Sequence, residues 1–75
     1  LALTPREHAV LRALIQRSGE PLSKQEILDR VFSDEQDVNP EAVEVLVHRL
    51  RKRLLDSPVS IRTLRGLGYV LEGSG

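Results

Sequence analysis

The fold is decided by residues 40–55, PEAVEVLVHRLRKRLL in one-letter code. When successive residues are placed about 100° apart, one narrow stripe of this segment is apolar and consists of Val43, Val47, Leu50 and Leu54. The other side is mixed and carries Glu41, Glu44, Val45, His48, Arg49 and Lys52. This spacing predicts a helix that packs a single apolar stripe into a core and exposes a face bearing arginine.

The exposed face of this helix suits insertion into the major groove of DNA. There a guanidinium group can bridge the edge of a guanine, and a small apolar side chain can touch a thymine methyl. The alternative is a solvated, charged face on an ordinary amphipathic helix. Residues 40–55 alone favour that alternative, so the choice depends on the rest of the chain.

Length and composition limit the classes of protein to which the chain can belong. Its 75 residues suit one small domain, or a fragment of a larger protein, and 40% hydrophobic with 29% charged residues is ordinary for a globular fold. No apolar run approaches the roughly 20 residues that cross a bilayer, and the first residues do not resemble a signal peptide. We therefore expect one domain over residues 1–75 and no membrane segment.

The sequence offers no ligand set for a metal or cofactor and no catalytic group. It has no cysteine, which excludes disulfides and zinc–thiolate sites and fits a reducing compartment. His8 and His48 lie far apart in the chain, and no serine has an evident base partner. We expect no metal site, no cofactor and no enzymatic activity.

The formal net charge of 0, taken alone, argues against binding to nucleic acid. The charges are, however, unevenly distributed. Residues 20–44 hold eight acidic and two basic side chains, a balance of −6, whereas residues 45–65 hold six basic and one acidic side chain, a balance of +5. Such asymmetry is typical of an electrostatic footprint on one face.

Two further helices precede the segment that decides the fold. Thr4–Glu7 and Ser23–Glu26 both fit a capping box, and Asn39 before Pro40 fits a cap followed by proline at the first helical position. The three predicted helices span residues 5–17, 24–32 and 40–55.

After the third helix the sequence changes to strand-forming residues. Residues 59–72 contain two such segments around Arg65-Gly66-Leu67-Gly68, which predicts a β-hairpin with Arg65 near its tip. Three helices and a hairpin indicate an α+β, mainly α, winged helix-turn-helix in which the hairpin is the wing. A basic helix in a major groove and an arginine in the adjoining minor groove would form a two-point clamp on DNA.

The expected core combines the apolar stripes of the three helices. Its predicted members are Leu11, Leu14, Ile15, Ile27, Leu28, Val31, Phe32, Val43, Val47, Leu50 and Leu54. The alternation in the hairpin is imperfect and does not say which of its faces is buried. The acidic segment between the second and third helices has no periodicity and is expected to be a loop.

Motifs along nearly the whole chain resemble one family. Residues 63–69, Thr-Leu-Arg-Gly-Leu-Gly-Tyr, resemble the T-[VL]-R-G-x-G-Y signature of the OmpR/PhoB-type response-regulator effector domain. Leu3-Thr4-Pro5-x-Glu7 and Ser23-Lys24-x-x-Ile27-Leu28 are similar to its L-T-x-x-E and S-R-x-x-L segments. Residues 43–54 are similar to its recognition helix, usually V-x-V-x-I-x-R-L-R-K.

The resemblance implies a winged helix-turn-helix that is C-terminal to a phosphorylatable receiver domain in a bacterial two-component system. The receiver would lie outside these residues, and residues 1–3 would be the last remnant of the family's N-terminal sheet. Regulators of this kind act in the cytoplasm, bind direct-repeat promoter sites as homodimers and recruit RNA polymerase.

The resemblance also implies site residues. Arg49 would contact bases, with Val45 against a thymine methyl and Glu44 accepting from a cytosine amino group. The wing arginine that enters the minor groove matches Arg65. Contacts with the phosphate backbone are implied for Arg51, Thr63 and Tyr69, with His48 and Lys52 as further candidates. A loop facing RNA polymerase would contain Asp34, Glu35 and Asp37.

Some positions depart from the family pattern. Glu41 replaces a frequent arginine, and Ala42 stands where relatives often carry a threonine that contacts the DNA backbone, so the target sequence does not transfer from a relative. The alternative function is a winged-helix protein–protein interaction module without DNA binding. Net neutrality and the acidic residues 20–44 favour that alternative, whereas Arg65 and the basic residues 45–65 favour DNA.

Overall fold

The computed structural model describes residues 3–17, 19–33, 35 and 37–73. Its elements in chain order are α1 (Pro5–Gln16), α2 (Lys24–Val31), α3 (Glu41–Arg53), β1 (Val59–Leu64) and β2 (Gly68–Gly73). Three helices followed by an antiparallel hairpin confirm the predicted winged helix-turn-helix. The predicted last residues of α1 and α2 are instead their C-caps, Arg17 and Phe32.

Both predicted N-caps of the first two helices form. Thr4 Oγ1 accepts a hydrogen bond from the backbone N–H of Glu7 at 3.2 Å, and Glu7 Oε1 accepts one from the N–H of Thr4 at 3.0 Å. Ser23 Oγ accepts from the N–H of Glu26 at 3.1 Å, which is the first half of the same arrangement. These bonds satisfy N–H groups that have no partner within their helix, and they fix where α1 and α2 begin.

α3 is shorter at both ends than the predicted range of 40–55. Pro40 is its N-cap rather than its first residue, while Asn39 Oδ1 accepts from the N–H of Glu41 at 2.9 Å. At the other end Leu54 is the C-cap and is buried. The apolar stripe therefore continues past the last helical residue, which is why periodicity overestimates the length of this helix.

The wing consists of β1 and β2, which pair antiparallel over their full lengths. The turn between them is closed by a hydrogen bond of 3.0 Å from the N–H of Leu67 to the carbonyl of Leu64. Within this turn Gly66 has φ +79°, a left-handed conformation that glycine adopts without strain. The inner side of the hairpin buries Ile61 and Tyr69 against the helices.

A backbone bridge joins the wing to the segment between α1 and α2. The N–H of Leu22 donates to the carbonyl of Tyr69 and the N–H of Tyr69 donates to the carbonyl of Leu22, each at 2.8 Å. The two backbones approach so closely that a Cβ on Gly68 would lie 2.0 Å from the oxygen of Leu22. Because Gly68 also has φ +126°, this position requires glycine for two independent reasons.

One hydrophobic core joins all five elements. Most predicted core residues are buried, but Ile15 is 54% exposed and that prediction is wrong, whereas Leu11 and Phe32 are only partly buried. On α1 the buried residues are Glu7, Val10, Ala13 and Leu14. Ile15 follows Leu14 by about 100° and so lies outside this stripe. Buried residues outside the predicted core set are Val10, Ala13, Leu22, Leu46, Ile61, Tyr69 and Val70.

The expected strand remnant at residues 1–3 lies mostly outside the described residues. Leu3, which is described, is not in a strand and packs partly buried against the core. In the described part of the chain, each helix is too short or too polar to cross a membrane. The same residues contain no cluster of three or more side chains that could hold a metal ion.

Candidate nucleic-acid interface

α3 presents the predicted face outward. Its buried side chains are Val43, Leu46, Val47 and Leu50, and its exposed ones include Glu41, Glu44, Val45, His48, Arg49 and Lys52. Val45 is an apolar residue at 48% exposure on this otherwise polar face. The three residues expected to contact bases, Glu44, Val45 and Arg49, therefore share one accessible surface.

Three cations of the basic segment have no partner among the residues that the structure describes. Across residues 3–17, 19–33, 35 and 37–73, neither Arg49, Lys52 nor Arg65 makes a hydrogen bond or ion pair. All three are exposed, with Arg49 and Lys52 on α3 and Arg65 in the turn of the wing. Their donors are free for oxygen acceptors on a ligand.

Arg51 and Thr63, both expected at the phosphate backbone, are brought together by the fold. Arg51 Nε donates to the carbonyl of Ile61 at 3.0 Å, and Arg51 Nη2 donates to Thr63 Oγ1. These bonds tie α3 to β1 and leave other guanidinium donors of Arg51 unused. The arginine thus connects the two parts of the expected DNA surface.

Two other arginines of the basic segment are paired with acids. Arg53 Nε lies 3.3 Å from Glu7 Oε1, and Arg62 Nη1 lies 3.4 Å from Glu72 Oε1. Since Arg53 and Arg62 are paired with acids, the cations of the basic segment without an acidic partner among the described residues are Arg49, Arg51, Lys52 and Arg65. Sequence alone gave no sign that Glu7, an apparent capping residue, is also the counter-ion of Arg53.

A cleft of about 310 Å³ separates the start of α2, the first turn of α3 and the tip of the wing. Its polar lining consists of Ser23, Lys24, Glu44, Thr63, Arg65 and Tyr69. Tyr69 is only 7% exposed, so its ring belongs to the core. Two residues expected at the phosphate backbone, Thr63 and Tyr69, therefore line the same recess as Glu44 and Arg65.

An ion pair crosses this cleft between the two helices of the helix-turn-helix. Lys24 Nζ donates to Glu44 Oε1 at 2.5 Å. The hydrogen bond and charge of Glu44, aided by the charges of Tyr69 and Glu41, raise the pKa of Lys24 above its ordinary value against a smaller opposing effect of burial. Lys24 is not among the site residues predicted from the sequence. A cation in the first turn of a helix is unfavourable because it opposes the helix dipole, and this placement could have indicated that Lys24 has a partner outside α2.

The loop after α2 is held by Arg6 of α1. Arg6 Nη1 donates to the carbonyl of Val31 at 2.6 Å, its guanidinium lies 4.3 Å from the centre of the Phe32 ring, and Nη2 pairs with Glu35. Asp37, the second loop acid, is exposed and has φ +61°. Asp34, the third residue of the predicted polymerase-facing set, lies outside the described residues.

Comparisons with known proteins identify the family of this chain. A family described as "Transcriptional regulatory protein, C terminal" matches residues 1–71. The transcriptional regulatory protein TctD of Salmonella typhimurium is 56% identical over 72 residues, which are 96% of this chain and 32% of that protein. The chain thus spans about a third of the length of the curated relatives it matches.

Two solved structures have the same fold. The DNA-binding domain of Escherichia coli CadC superposes with a TM-score of 0.87 at 38% identity, covering 97% of this chain and 71% of that one. The DNA-binding domain of Klebsiella pneumoniae RstA, solved in complex with the RstA box, gives 0.78 at 29% identity and covers 93% and 72%. This chain belongs to the C-terminal domains of transcriptional regulatory proteins, the non-enzymatic, OmpR/PhoB-type winged-helix DNA-binding output domains of response regulators.

Proposed function

We propose that this domain binds double-stranded DNA sequence-specifically for a bacterial two-component transcriptional regulator, with α3 in the major groove and the wing in the minor groove. One observation carries the proposal. Arg49 at the exposed side of α3 and Arg65 at the wing tip both lack protein partners among the described residues, whereas Arg51, Arg53 and Arg62 have them. Exposed, unpaired arginines on two neighbouring projections suit two adjacent grooves.

In the major groove, Arg49 would donate in bidentate fashion to a guanine, the commonest specific contact between a protein and DNA. Val45 would meet a thymine methyl, because it is the half-exposed apolar residue of the same face. Glu44 would accept from a cytosine amino group. These three residues lie within one and a half turns of α3, so they would address neighbouring base pairs.

Phosphate contacts would fix the position of α3 without selecting a sequence. His48 and Lys52 project from the exposed face of α3, and the unused donors of Arg51 lie between that helix and β1. Thr63 and Tyr69 line the cleft beside the wing. Arg65 would extend from the turn into the minor groove, where the negative potential attracts a guanidinium group.

The remaining parts of the proposal concern the whole protein. A receiver domain outside residues 1–75 would control the output domain, and two copies would bind direct-repeat promoter sites in the cytoplasm.

RNA polymerase would be contacted through Asp34, Glu35 and Asp37. Alanine substitution of Glu35 and Asp37 tests that contact: transcription should fall while DNA affinity stays unchanged, and an unchanged transcription level would contradict it.

The test of DNA binding is a titration of the isotopically labelled protein with a random-sequence duplex at two salt concentrations, followed by backbone amide shifts. We expect salt-sensitive shifts confined to α3 and the Arg65 turn, with a steepness that gives the number of phosphates engaged. Polyglutamate serves as a control for charge alone. Absence of shifts at low salt would contradict DNA binding and favour the protein–protein interaction module.

A further inference from the structure

We infer that Lys24 is a positioning residue of the DNA interface: it neutralises Glu44 in the cleft and so allows a carboxylate to stand on the helix that faces DNA. This inference rests on the proposed function and adds a residue to its surface. The ammonium group of Lys24 on α2 reaches the carboxylate of Glu44 on α3, with Nζ 2.5 Å from Oε1.

The location of Lys24 is fixed by the backbone rather than by its own side chain. The residue is the first of α2, directly after the cap Ser23. Ser23 and Leu22 lie against Gly68 of the wing, where a Cβ would come within 2.7 Å of the Cα of Ser23. The paired hydrogen bonds between Leu22 and Tyr69 hold this arrangement in place. The start of α2 is therefore held beside the cleft independently of the ion pair.

The charge at this position does not serve the helix to which it belongs. A cation in the first turn of a helix meets the positive end of the helix dipole and is unfavourable there. Glu41 and Glu44, by contrast, lie in the first turn of α3, where acids are favourable. A lysine at the start of α2 is explained by what it faces, namely two carboxylates on the exposed side of the recognition helix.

Those carboxylates stand on the surface that would approach DNA. An unpaired carboxylate close to phosphates is repelled, and like charges across an interface suppress binding strongly. Lys24 neutralises this charge at Glu44, which lines the cleft together with Thr63 and Arg65. Loss of Lys24 would therefore weaken DNA binding mainly through the acid that it leaves uncovered.

A double-mutant cycle on a random-sequence duplex at low salt tests this coupling. Lys24→Gln should weaken binding by about tenfold in the wild-type background and by about twofold or less in the Glu44→Gln background, because the repelling carboxylate is then absent. Glu44→Gln alone should leave affinity for the random-sequence duplex within about twofold of wild type, since the carboxylate that it removes is already neutralised by Lys24. Lys24→Arg should restore most of the wild-type affinity.

Matched controls separate this effect from a loss of charge or of stability. Arg17→Gln breaks the Arg17–Glu20 pair, whose atoms lie 3.5 Å apart, and it should change affinity much less because neither residue lines the cleft. The unfolding temperature of Lys24→Gln should stay within about 4 °C of wild type, because exposed pairs contribute little to stability.

Two negative outcomes are distinguishable. If the wild-type protein does not bind the duplex, the proposed function itself fails. If it binds but Lys24→Gln weakens binding equally with and without the Glu44 carboxylate, Lys24 acts as an ordinary phosphate contact and the inference alone is overturned.

Discussion

Glu7 Oε1 lies 3.3 Å from Arg53 Nε, so the carboxylate that caps α1 is also the counter-ion of the last residue of α3. The Glu7 side chain is 2% exposed and that of Arg53 is 45% exposed, which makes this a half-buried pair. The same oxygen accepts from the N–H of Thr4. One buried acid therefore connects the beginning of the first helix to the end of the third.

Replacement of Glu7 by alanine should lower the free energy of unfolding by about 2 kcal/mol, because it removes a capping bond and the partner of Arg53 together. Urea denaturation measures this loss. Glu20→Ala, which removes the acid of the exposed Arg17–Glu20 pair, is the control and should cost about 0.5 kcal/mol or less. Equal losses of unfolding free energy in the two variants would contradict a stabilising contribution of the Glu7 capping bond and of its pair with Arg53.

Replacement of Gly68 by alanine should destabilise the protein by about 3 kcal/mol or more, since its Cβ would meet the Leu22 carbonyl and its φ is +126°. Gly66→Ala is the matched control: φ is also positive but the space is open, so about 1 kcal/mol is expected. Thermal unfolding gives both values. Hydrogen exchange at the N–H of Leu22 and Tyr69 should speed up in the first variant only, and unchanged exchange there would contradict the proposed clash.

Replacement of Arg49 by alanine should cost about 1–3 kcal/mol of binding free energy on the preferred duplex and relax the preference at one base pair. Selection of bound sequences from a random pool, followed by affinity measurement, detects both effects. Arg62→Ala is a suitable control because that arginine is also exposed but pairs with Glu72. Equal weakening on every sequence would remove the role of Arg49 in base recognition.

Replacement of Arg65 by alanine should weaken binding evenly across sequences and lower the slope of log affinity against log salt by about 1. The physical reason is the loss of one cation from the wing tip without loss of a major-groove contact. Affinities measured on several duplexes at graded salt test this expectation. A loss confined to one sequence would instead assign base recognition to the wing.

The local features of the fold could be predicted because they depend on neighbouring residues. The side chains of Thr4 and Ser23 cap their helices by accepting from backbone N–H groups three positions further on. The stripe from Val43 to Leu54 follows from helical periodicity. The exposed position of Ile15 could not be predicted in the same way. Apolar residues on α1 cover more than one side, and only the packing of α2 and α3 selects which side is buried.

The pairing of charges depends on contacts between distant segments. The charge counted over residues 45–65 is the same whether or not Arg53 pairs with Glu7. It also does not depend on whether Arg51 donates to Ile61 and Thr63. Only the folded chain separates arginines that hold the fold together from those that remain available. The sequence therefore predicts which elements carry the candidate site, whereas the partners of each guanidinium group could not be predicted from it.

The two hydrogen bonds between Leu22 and Tyr69 have a consequence for the energetics of recognition. They join the base of the wing to the segment that leads into the helix-turn-helix, so the spacing between Arg49 and Arg65 is set when the chain folds. A duplex that engages both arginines as proposed would meet a preorganised surface, and little conformational entropy would be lost on association. The duplex would then be the component that adapts its groove geometry.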